Sequence, residues 1–118
     1  MYIETPTRKE SNQMLLLNAF SLNMLDVTAV ATVSVQPVSV GEARDILANG
    51  VESAIGHTDT AAVVGEVLGI VVPANRANVR LVSGSQALVA QYVGPRLPEG
   101  TTCLPEGARI DFVHITIS

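Results

Sequence analysis

The chain has 118 residues and a mass of 12.4 kDa, which is enough for one domain with a hydrophobic core and too little for two. Only 15% of the residues are charged, 47% are hydrophobic and the formal net charge is -4, so we expect neither a disordered chain nor a protein that coats nucleic acid. The single cysteine excludes an intramolecular disulfide and, with only two histidines, any zinc site of four cysteines or of two cysteines and two histidines.

The beginning of the chain is polar and becomes apolar at Met14. Residues 1–13 are predicted to form a polar leader, without the apolar segment of a signal peptide, and residues 14–118 the folded domain. No apolar run approaches the ~20 residues that cross a bilayer, so we expect a cytoplasmic protein that does not bind a membrane. The continuous apolar run Met14–Leu17 is typical of a strand buried on both faces in the middle of a sheet.

A second strand and a helix are predicted next. Residues 27–36 alternate between apolar and polar, which indicates a strand, and Pro37 is expected to end it. Ser39 and Glu42 have the spacing of a capping box, in which each side chain accepts a hydrogen bond from the other residue's backbone N–H. The sequence therefore predicts a helix over residues 40–49.

A second helix follows the segment SAIGH, which is residues 53–57. Thr58 or Asp59 is expected to cap it, because their side-chain oxygens can accept from free N–H groups of the first turn. The helix is predicted to run through Leu68 and to end at Gly69, since glycine readily adopts the left-handed conformation that terminates helices.

The second half of the chain is predicted to be mostly extended. Residues 78–82 and 86–93 flank a short glycine-containing turn, which indicates a hairpin, and residues 110–117 alternate as a final strand. Strands and helices are thus mixed along the chain. The sequence predicts an α+β fold, a single domain with one mixed β-sheet flanked by helices.

Two groups of polar residues stand where core packing does not require them. Asn18, Ser21 and Asn23 directly follow the first buried strand, and ligands often bind at the carboxyl ends of central strands. His57 follows Gly56 at the start of the second helix, where backbone N–H groups attract an anion and an imidazole can act as a general acid. The alternatives are ordinary turn chemistry for the first group and a helix-capping or packing role for His57.

Three further charged residues are candidates. Arg76 follows a short Pro-Ala-Asn segment, and Arg96 lies in a predicted turn with Glu99 three residues later. The alternatives are solvated arginines, or a local ion pair between Arg96 and Glu99. His114 is expected to be a hydrogen-bonded histidine within a strand. No P-loop, dinucleotide-binding, zinc-protease or serine-hydrolase motif is present.

Four segments, taken in order, resemble the type III anti-CRISPR ring nuclease family. They are residues 17–25 (LNAFSLNML), residues 53–57 (SAIGH) leading into Thr60 and Ala61, the pair Asn75-Arg76, and residues 96–100 (RLPEG). The resemblance runs from about Leu15 to the C-terminus. It implies a homodimer that binds cyclic tetra-adenylate across its two-fold axis, with no metal or other cofactor and no duplex nucleic acid as partner. It also implies a ring nuclease, whose products are linear di-adenylates ending in 2′,3′-cyclic phosphate, and the loss of the messenger switches off the type III CRISPR defence.

The resemblance also implies roles for single residues within a ring nuclease domain of residues 14–118. His57 matches the family's catalytic histidine, and Arg96 and Glu99 match its active-site Arg-Leu-x-Glu. The implied ligand-binding residues are Asn18, Ser21, Asn23, Gly56 and Arg76. Two substitutes stay open, because Glu106 stands in a second Leu-Pro-Glu-Gly segment and Arg80 lies four residues after Arg76. The alternative functions are a non-catalytic sponge for a cyclic nucleotide and a protein-interaction module of a mobile element.

Overall fold

A mixed five-stranded sheet forms the centre of the computed structural model, which describes residues 13–118. Its strands are β1 (Met14–Leu17), β2 (Val33–Val38), β3 (Val51–Ser53), β4 (Gln86–Val93) and β5 (Arg109–Ile117). They lie in the order β2-β5-β4-β1-β3, with β1 parallel to β3 and β4, and β5 antiparallel to β2 and β4. The predicted α+β fold with one mixed sheet is confirmed. The predicted leader lies outside the described residues, except for Gln13.

The two helices pack on one face of the sheet and loops cover the other. The helices are α1 (Val40–Ile46) and α2 (Thr58–Leu68). Successive residues of a strand point to opposite faces, so Leu16 joins the buried cluster beneath the helices and Leu17 joins the cluster beneath the loops. Both clusters contain residues of β4 and β5, and the sheet is thereby buried on both faces at its centre.

The strand β2 is shorter than the alternating pattern predicted. It begins at Val33, whereas residues 27–32 precede it as exposed turn and coil, with Val30 99% exposed. An alternating pattern predicts a strand only where one face finds apolar partners. Residues 27–32 lack such partners in this chain, and the prediction for them was wrong.

Pro37 does not end β2 but lies within it, opposite Val113. Thr32 and Ser118 exchange backbone hydrogen bonds, so every second residue from Thr32 faces β5. Pro37 is one of the intervening residues, and its nitrogen therefore points to the open edge of the sheet. Because β2 is an edge strand, the missing N–H of proline removes no bond from the ladder.

Two predictions for the middle of the chain were incomplete or wrong. The three-residue strand β3 was not predicted, because so short an element carries no periodic pattern. Residues 78–82 form no strand, so the predicted hairpin of residues 78–93 is absent. The strand β4 pairs with β1 and β5 instead. The apolar residues of this segment serve loop packing: Leu81 is buried under the sheet, and its N–H donates to the Met24 carbonyl at 2.7 Å.

The start of α1 and the end of α2 agree with the sequence patterns. The Ser39 hydroxyl accepts from the Glu42 N–H at 3.1 Å and the Glu42 carboxylate from the Ser39 N–H at 2.8 Å, which confirms the capping box of α1. The helix α1 ends at Ile46, three residues before the predicted end, and continues as a turn. Gly69 ends α2 in the left-handed conformation with φ of 73°, as predicted. Neither helix of residues 13–118 is long and apolar enough to cross a membrane.

Candidate functional site

The candidate residues follow three parallel strands at one edge of the sheet. Because β1, β3 and β4 run in the same direction, their carboxyl ends point to the same side. Asn18 comes directly after β1, His57 four residues after β3, and Arg96 three residues after β4. Ligands commonly bind outside the carboxyl ends of parallel strands. The fold thus brings segments that are distant in the sequence to the side of the sheet where a ligand site is expected.

One open pocket at this edge contains all three residues predicted to be catalytic. We call it the His57 pocket; its volume is about 430 Å³ and its lining residues are His57, Asp59, Arg96, Leu97, Pro98 and Glu99. The side chains of His57, Arg96 and Glu99 are exposed to solvent. Glu106 does not line the pocket. Of the two Leu-Pro-Glu-Gly segments, the first therefore accompanies the histidine.

His57 caps the helix α2. Its Nδ1 accepts a hydrogen bond from the Asp59 N–H at 3.2 Å, and its backbone is extended, as in other N-cap residues. The prediction that Thr58 or Asp59 caps the helix was wrong by one or two residues, because the imidazole nitrogen serves as the acceptor in place of an oxygen. Since Nδ1 accepts, the neutral ring carries its proton on Nε2. The capping role is confirmed, and a donor remains on the other ring nitrogen.

Asp59 is a residue of the pocket that sequence reasoning considered only as a cap. Its carboxylate accepts a hydrogen bond from the Gly100 N–H at 3.0 Å, across 41 positions of the chain. Arg96 and Glu99 form no ion pair with each other, so the local pairing considered from the sequence is wrong. The pocket therefore holds one guanidinium and two carboxylates, and the guanidinium is available to an anion.

The turn that carries Arg96 is held by residues that no motif singled out. The Tyr92 hydroxyl donates to the Pro95 carbonyl, one residue before Arg96. Gly94 has a φ of 153°, and a Cβ there would lie 2.7 Å from the Cβ of Ala108, so only glycine fits. A position that only glycine can occupy and the hydrogen bond of the Tyr92 hydroxyl thus fix where the chain leaves β4.

A second pocket groups the polar residues that follow β1. We call it the amide pocket; its volume is about 220 Å³, and its polar lining residues are Asn18, Ser21, Asn23 and Asn78. Ser21 also accepts a hydrogen bond from the Asn23 N–H at 3.2 Å, so the expected turn chemistry is present too. The amide pocket reaches Ala54, and His57 follows by three residues, which keeps the two Cα atoms within about 11 Å.

Arg76 is placed beside the glycine that precedes His57. The Asn75 N–H donates to the Ile55 carbonyl at 2.8 Å, and its side-chain amide donates to the Ser53 carbonyl at 2.7 Å. These bonds bring the Cα of Arg76 to 3.4 Å from the position of a Cβ on Gly56. The sequence analysis named Asn75 only as the neighbour of Arg76. It did not predict that Asn75 joins the segment of Arg76 to residues 53–57.

Arg80, the substitute considered for Arg76, lines two pockets. One, of about 400 Å³, also contains Ser53, Ala54, Asn75 and Asn78, and the other contains Leu22 and Val27. The positive charge of Arg80 contributes to a lowered pKa of the Asp26 carboxyl. The larger causes of that lowered pKa are hydrogen bonds from the Thr28 hydroxyl and N–H. Arg76 contacts Gly56, and Arg80 lies by Ser53 and Ala54, so the choice between the two arginines stays open.

Two further observations concern the second histidine and possible metal ligands. The Nε2 of His114 lies 2.9 Å from the Gln86 side-chain oxygen, which confirms it as a hydrogen-bonded histidine of the sheet. Within residues 13–118, no cluster of three or more histidine, cysteine, aspartate or glutamate side chains has the arrangement of a metal site.

Comparison with known proteins identifies relatives at the level of family and fold. The STIV B116-like family model matches residues 14–109. Among solved structures, B116 of Sulfolobus turreted icosahedral virus matches with a TM-score of 0.72 and 26% sequence identity, covering 88% of this chain and 98% of that chain. No curated protein matches the chain.

Proposed function

The chain belongs to the STIV B116-like family, and we propose that it is a metal-independent ring nuclease that binds and cleaves cyclic tetra-adenylate. The sequence resemblance to type III anti-CRISPR ring nucleases names the reaction. The observation that carries the proposal is the convergence of His57, Arg96 and Glu99 in one open pocket, from segments that are far apart in the chain.

The proposed reaction uses a nucleophile that the substrate itself contains. A ribose 2′-oxygen attacks the adjacent phosphorus in line, the bond between phosphorus and O5′ breaks, and a 2′,3′-cyclic phosphate and a 5′-hydroxyl result. The attacking oxygen releases its proton to solvent water and O5′ gains one from the protein, which takes a proton back from solvent afterwards, so no water is consumed. Three tasks remain for the protein: to hold the geometry, to stabilise charge on the phosphate and to protonate O5′.

His57 is the proposed general acid, a role typically worth roughly 10² to 10⁴-fold. Its Nε2 is the nitrogen left free by the capping bond. To give away that proton readily, the ring must hold protons on both nitrogens, and a protonated Nδ1 cannot accept from the Asp59 N–H. The capping bond therefore opens when the ring is charged and forms again after the transfer. Proton donation and the first turn of α2 are coupled in this way.

Arg96 and Glu99 are proposed to act on the phosphate and its surroundings. The guanidinium of Arg96 has no carboxylate partner among the described residues and can stabilise the charge of the phosphorane-like transition state. Glu99, three residues later in the same turn, positions either Arg96 or the ribose. The amide pocket and the segment with Gly56 and Arg76 supply the remaining contacts to the ring.

The proposed working form is a homodimer. A ring of four identical units has a two-fold axis, and a dimer that shares this axis presents one His57 pocket to each half of the ring. Two symmetric cuts then give two linear di-adenylates with 2′,3′-cyclic phosphate ends. Removal of the messenger in the host cytoplasm would end the signal of type III CRISPR defence.

The test is to incubate the chain with cyclic tetra-adenylate and excess chelator and to separate the products by chromatography. We expect linear di-adenylates from the wild type and a rate lower by roughly 10² to 10⁴-fold from His57→Ala. His114→Gln is the matched control, because it replaces the other histidine outside the pocket. Undiminished turnover by His57→Ala would refute the general-acid role.

A non-catalytic sponge is the second candidate, and the capping bond of His57 is the observation that favours it. A histidine held by its Nδ1 has a structural reason to be present without any catalysis. The same pockets would then bind the nucleotide without cutting it. Denaturation of the complex after a long incubation separates the two functions, since a sponge returns the ring intact.

A further inference from the structure

The His57 pocket is built from two parts of the chain that need a fixed relative position. One part is the beginning of α2 with His57, and the other is the turn of residues 96–100 with Arg96 and Glu99. The sheet sets their approximate distance, because the two parts follow β3 and β4, and direct contacts between them fix the finer geometry. In-line transfer requires that geometry to be accurate, because a displacement of about 1 Å can cost about 10²-fold in rate.

We propose that Asp59 is the positioning residue that joins the two parts, an inference that rests on the proposed function. Its backbone N–H donates to the Nδ1 of His57 at 3.2 Å, and its carboxylate accepts from the Gly100 N–H at 3.0 Å. Among residues 13–118, the bond between the Gly100 N–H and the Asp59 carboxylate is the one hydrogen bond that joins the start of α2 to the turn. The main chain of Asp59 thus holds the uncharged imidazole, and its carboxylate holds the turn whether or not the ring is charged.

The bond to Gly100 acts on the residue next to Glu99. Gly100 has a φ of 85°, and the following Thr101 N–H donates to the Pro98 carbonyl at 3.1 Å, so the turn is a compact unit. A hydrogen bond that fixes one amide of such a turn restrains the whole turn. A charged acceptor makes that bond stronger than a neutral one would.

The negative charge of Asp59 affects ligand binding separately from the hydrogen bond that its carboxylate accepts from Gly100. The carboxylate lines the same pocket as Arg96, where it repels the phosphates of the proposed ligand. The side-chain oxygen of asparagine can accept from the Gly100 N–H but carries no charge. Asp59→Asn therefore keeps the connection and removes the repulsion, whereas Asp59→Ala removes both.

Steady-state kinetics separates the two effects. We expect Asp59→Ala to lower kcat by about 10- to 100-fold, because the turn loses its restraint. Asp59→Asn should keep kcat within about threefold of the wild type and lower KM, because a nearby negative charge is gone. Glu66→Ala is the matched control, since Glu66 is an exposed acidic residue of α2 outside the His57 pocket, and its kcat and KM should not change.

Hydrogen exchange of the Gly100 amide tests the connection without any measurement of cleavage. The amide should exchange faster in Asp59→Ala than in the wild type and Asp59→Asn. Faster exchange with an unchanged kcat would overturn the positioning role, and so would an Asp59→Asn variant that loses as much kcat as Asp59→Ala. If the wild type cleaves nothing, the proposed function and the positioning role both fail, and a protected Gly100 amide then shows that the connection serves the fold alone.

Discussion

Gly56→Ala tests whether the ligand passes close to the backbone in front of His57. A Cβ at this position would lie 3.4 Å from the Cα and Cβ of Arg76, which is an ordinary van der Waals contact. The φ of Gly56 is also outside the left-handed region. The folded protein therefore accepts alanine here, and the loss of a flexible glycine from the unfolded chain should raise the free energy of unfolding by about 0.4 to 1 kcal/mol.

The same methyl group should weaken binding of the ligand. If the nucleotide packs against Gly56, the added methyl overfills a close contact, which typically costs about 1 to 3 kcal/mol. At about 1.4 kcal/mol for each factor of ten, this corresponds to binding weaker by about 5- to 150-fold. The substitution thus separates stability from affinity, because it should raise the first and lower the second.

Calorimetric titration of cyclic tetra-adenylate measures the affinity, with His57→Ala present in every variant so that the ring is not cut. Thermal unfolding of the same samples measures stability. Gly41→Ala in α1 is the matched control, since the nearest atom to its Cβ is the Ser39 hydroxyl at 3.9 Å. It should raise stability by about 0.5 to 1 kcal/mol and leave affinity unchanged. Equal affinities of the Gly56 and Gly41 variants would refute the placement of the ligand at Gly56.

Two further predictions concern stability and pH. Arg44 donates from Nε to the Leu68 carbonyl at 2.7 Å at the end of α2, so Arg44→Ala should lower the free energy of unfolding by about 1 to 2 kcal/mol; an unchanged urea midpoint would contradict this. Hydrogen bonds from the Thr28 hydroxyl and N–H hold the pKa of Asp26 below its ordinary value of 3.8. Because the pKa of Asp26 is lower in the folded than in the unfolded chain, these hydrogen bonds stabilise the fold fully at pH values above the unfolded pKa. Their contribution is lost as the pH falls through the folded pKa. Thr28→Val removes the hydroxyl, so the pKa of Asp26 should rise in a carboxyl NMR titration, and a constant pKa would show that the hydroxyl is not its main cause.

Local sequence patterns predicted two kinds of element correctly. One kind is stabilised by contacts between residues close in the sequence, and the other is buried fully within the core. The capping box at Ser39 and Glu42 is of the first kind, and the apolar run of β1 is of the second. Residues 27–32 and 78–82 carry strand patterns, but a strand also needs a partner edge, and the pattern contains no information about the partner. The order of the sheet, with β1 between β3 and β4, could not be read from the sequence for the same reason.

The candidate site divides in a similar way. The family resemblance grouped His57, Arg96 and Glu99, and the structure places them in one pocket. The residues that hold the group together were not predicted, because their bonds span 41 positions for Asp59 and 22 for Asn75. Aspartate and asparagine are common in turns and at helix starts, so their presence alone does not reveal a long-range partner.

The charge of the chain constrains how the proposed ligand is recognised. A formal charge of -4 on each chain opposes the approach of a ring with four phosphates, and within the His57 pocket two carboxylates outnumber the single guanidinium. Attraction at long range therefore cannot supply the affinity. Contacts at short range must do so, from the guanidinium of Arg96, from Arg76 and from the neutral donors of the amide pocket. With aromatic residues at 3% of the chain, the adenines would rest on aliphatic and amide groups, and specificity would depend on the position of a few hydrogen bonds.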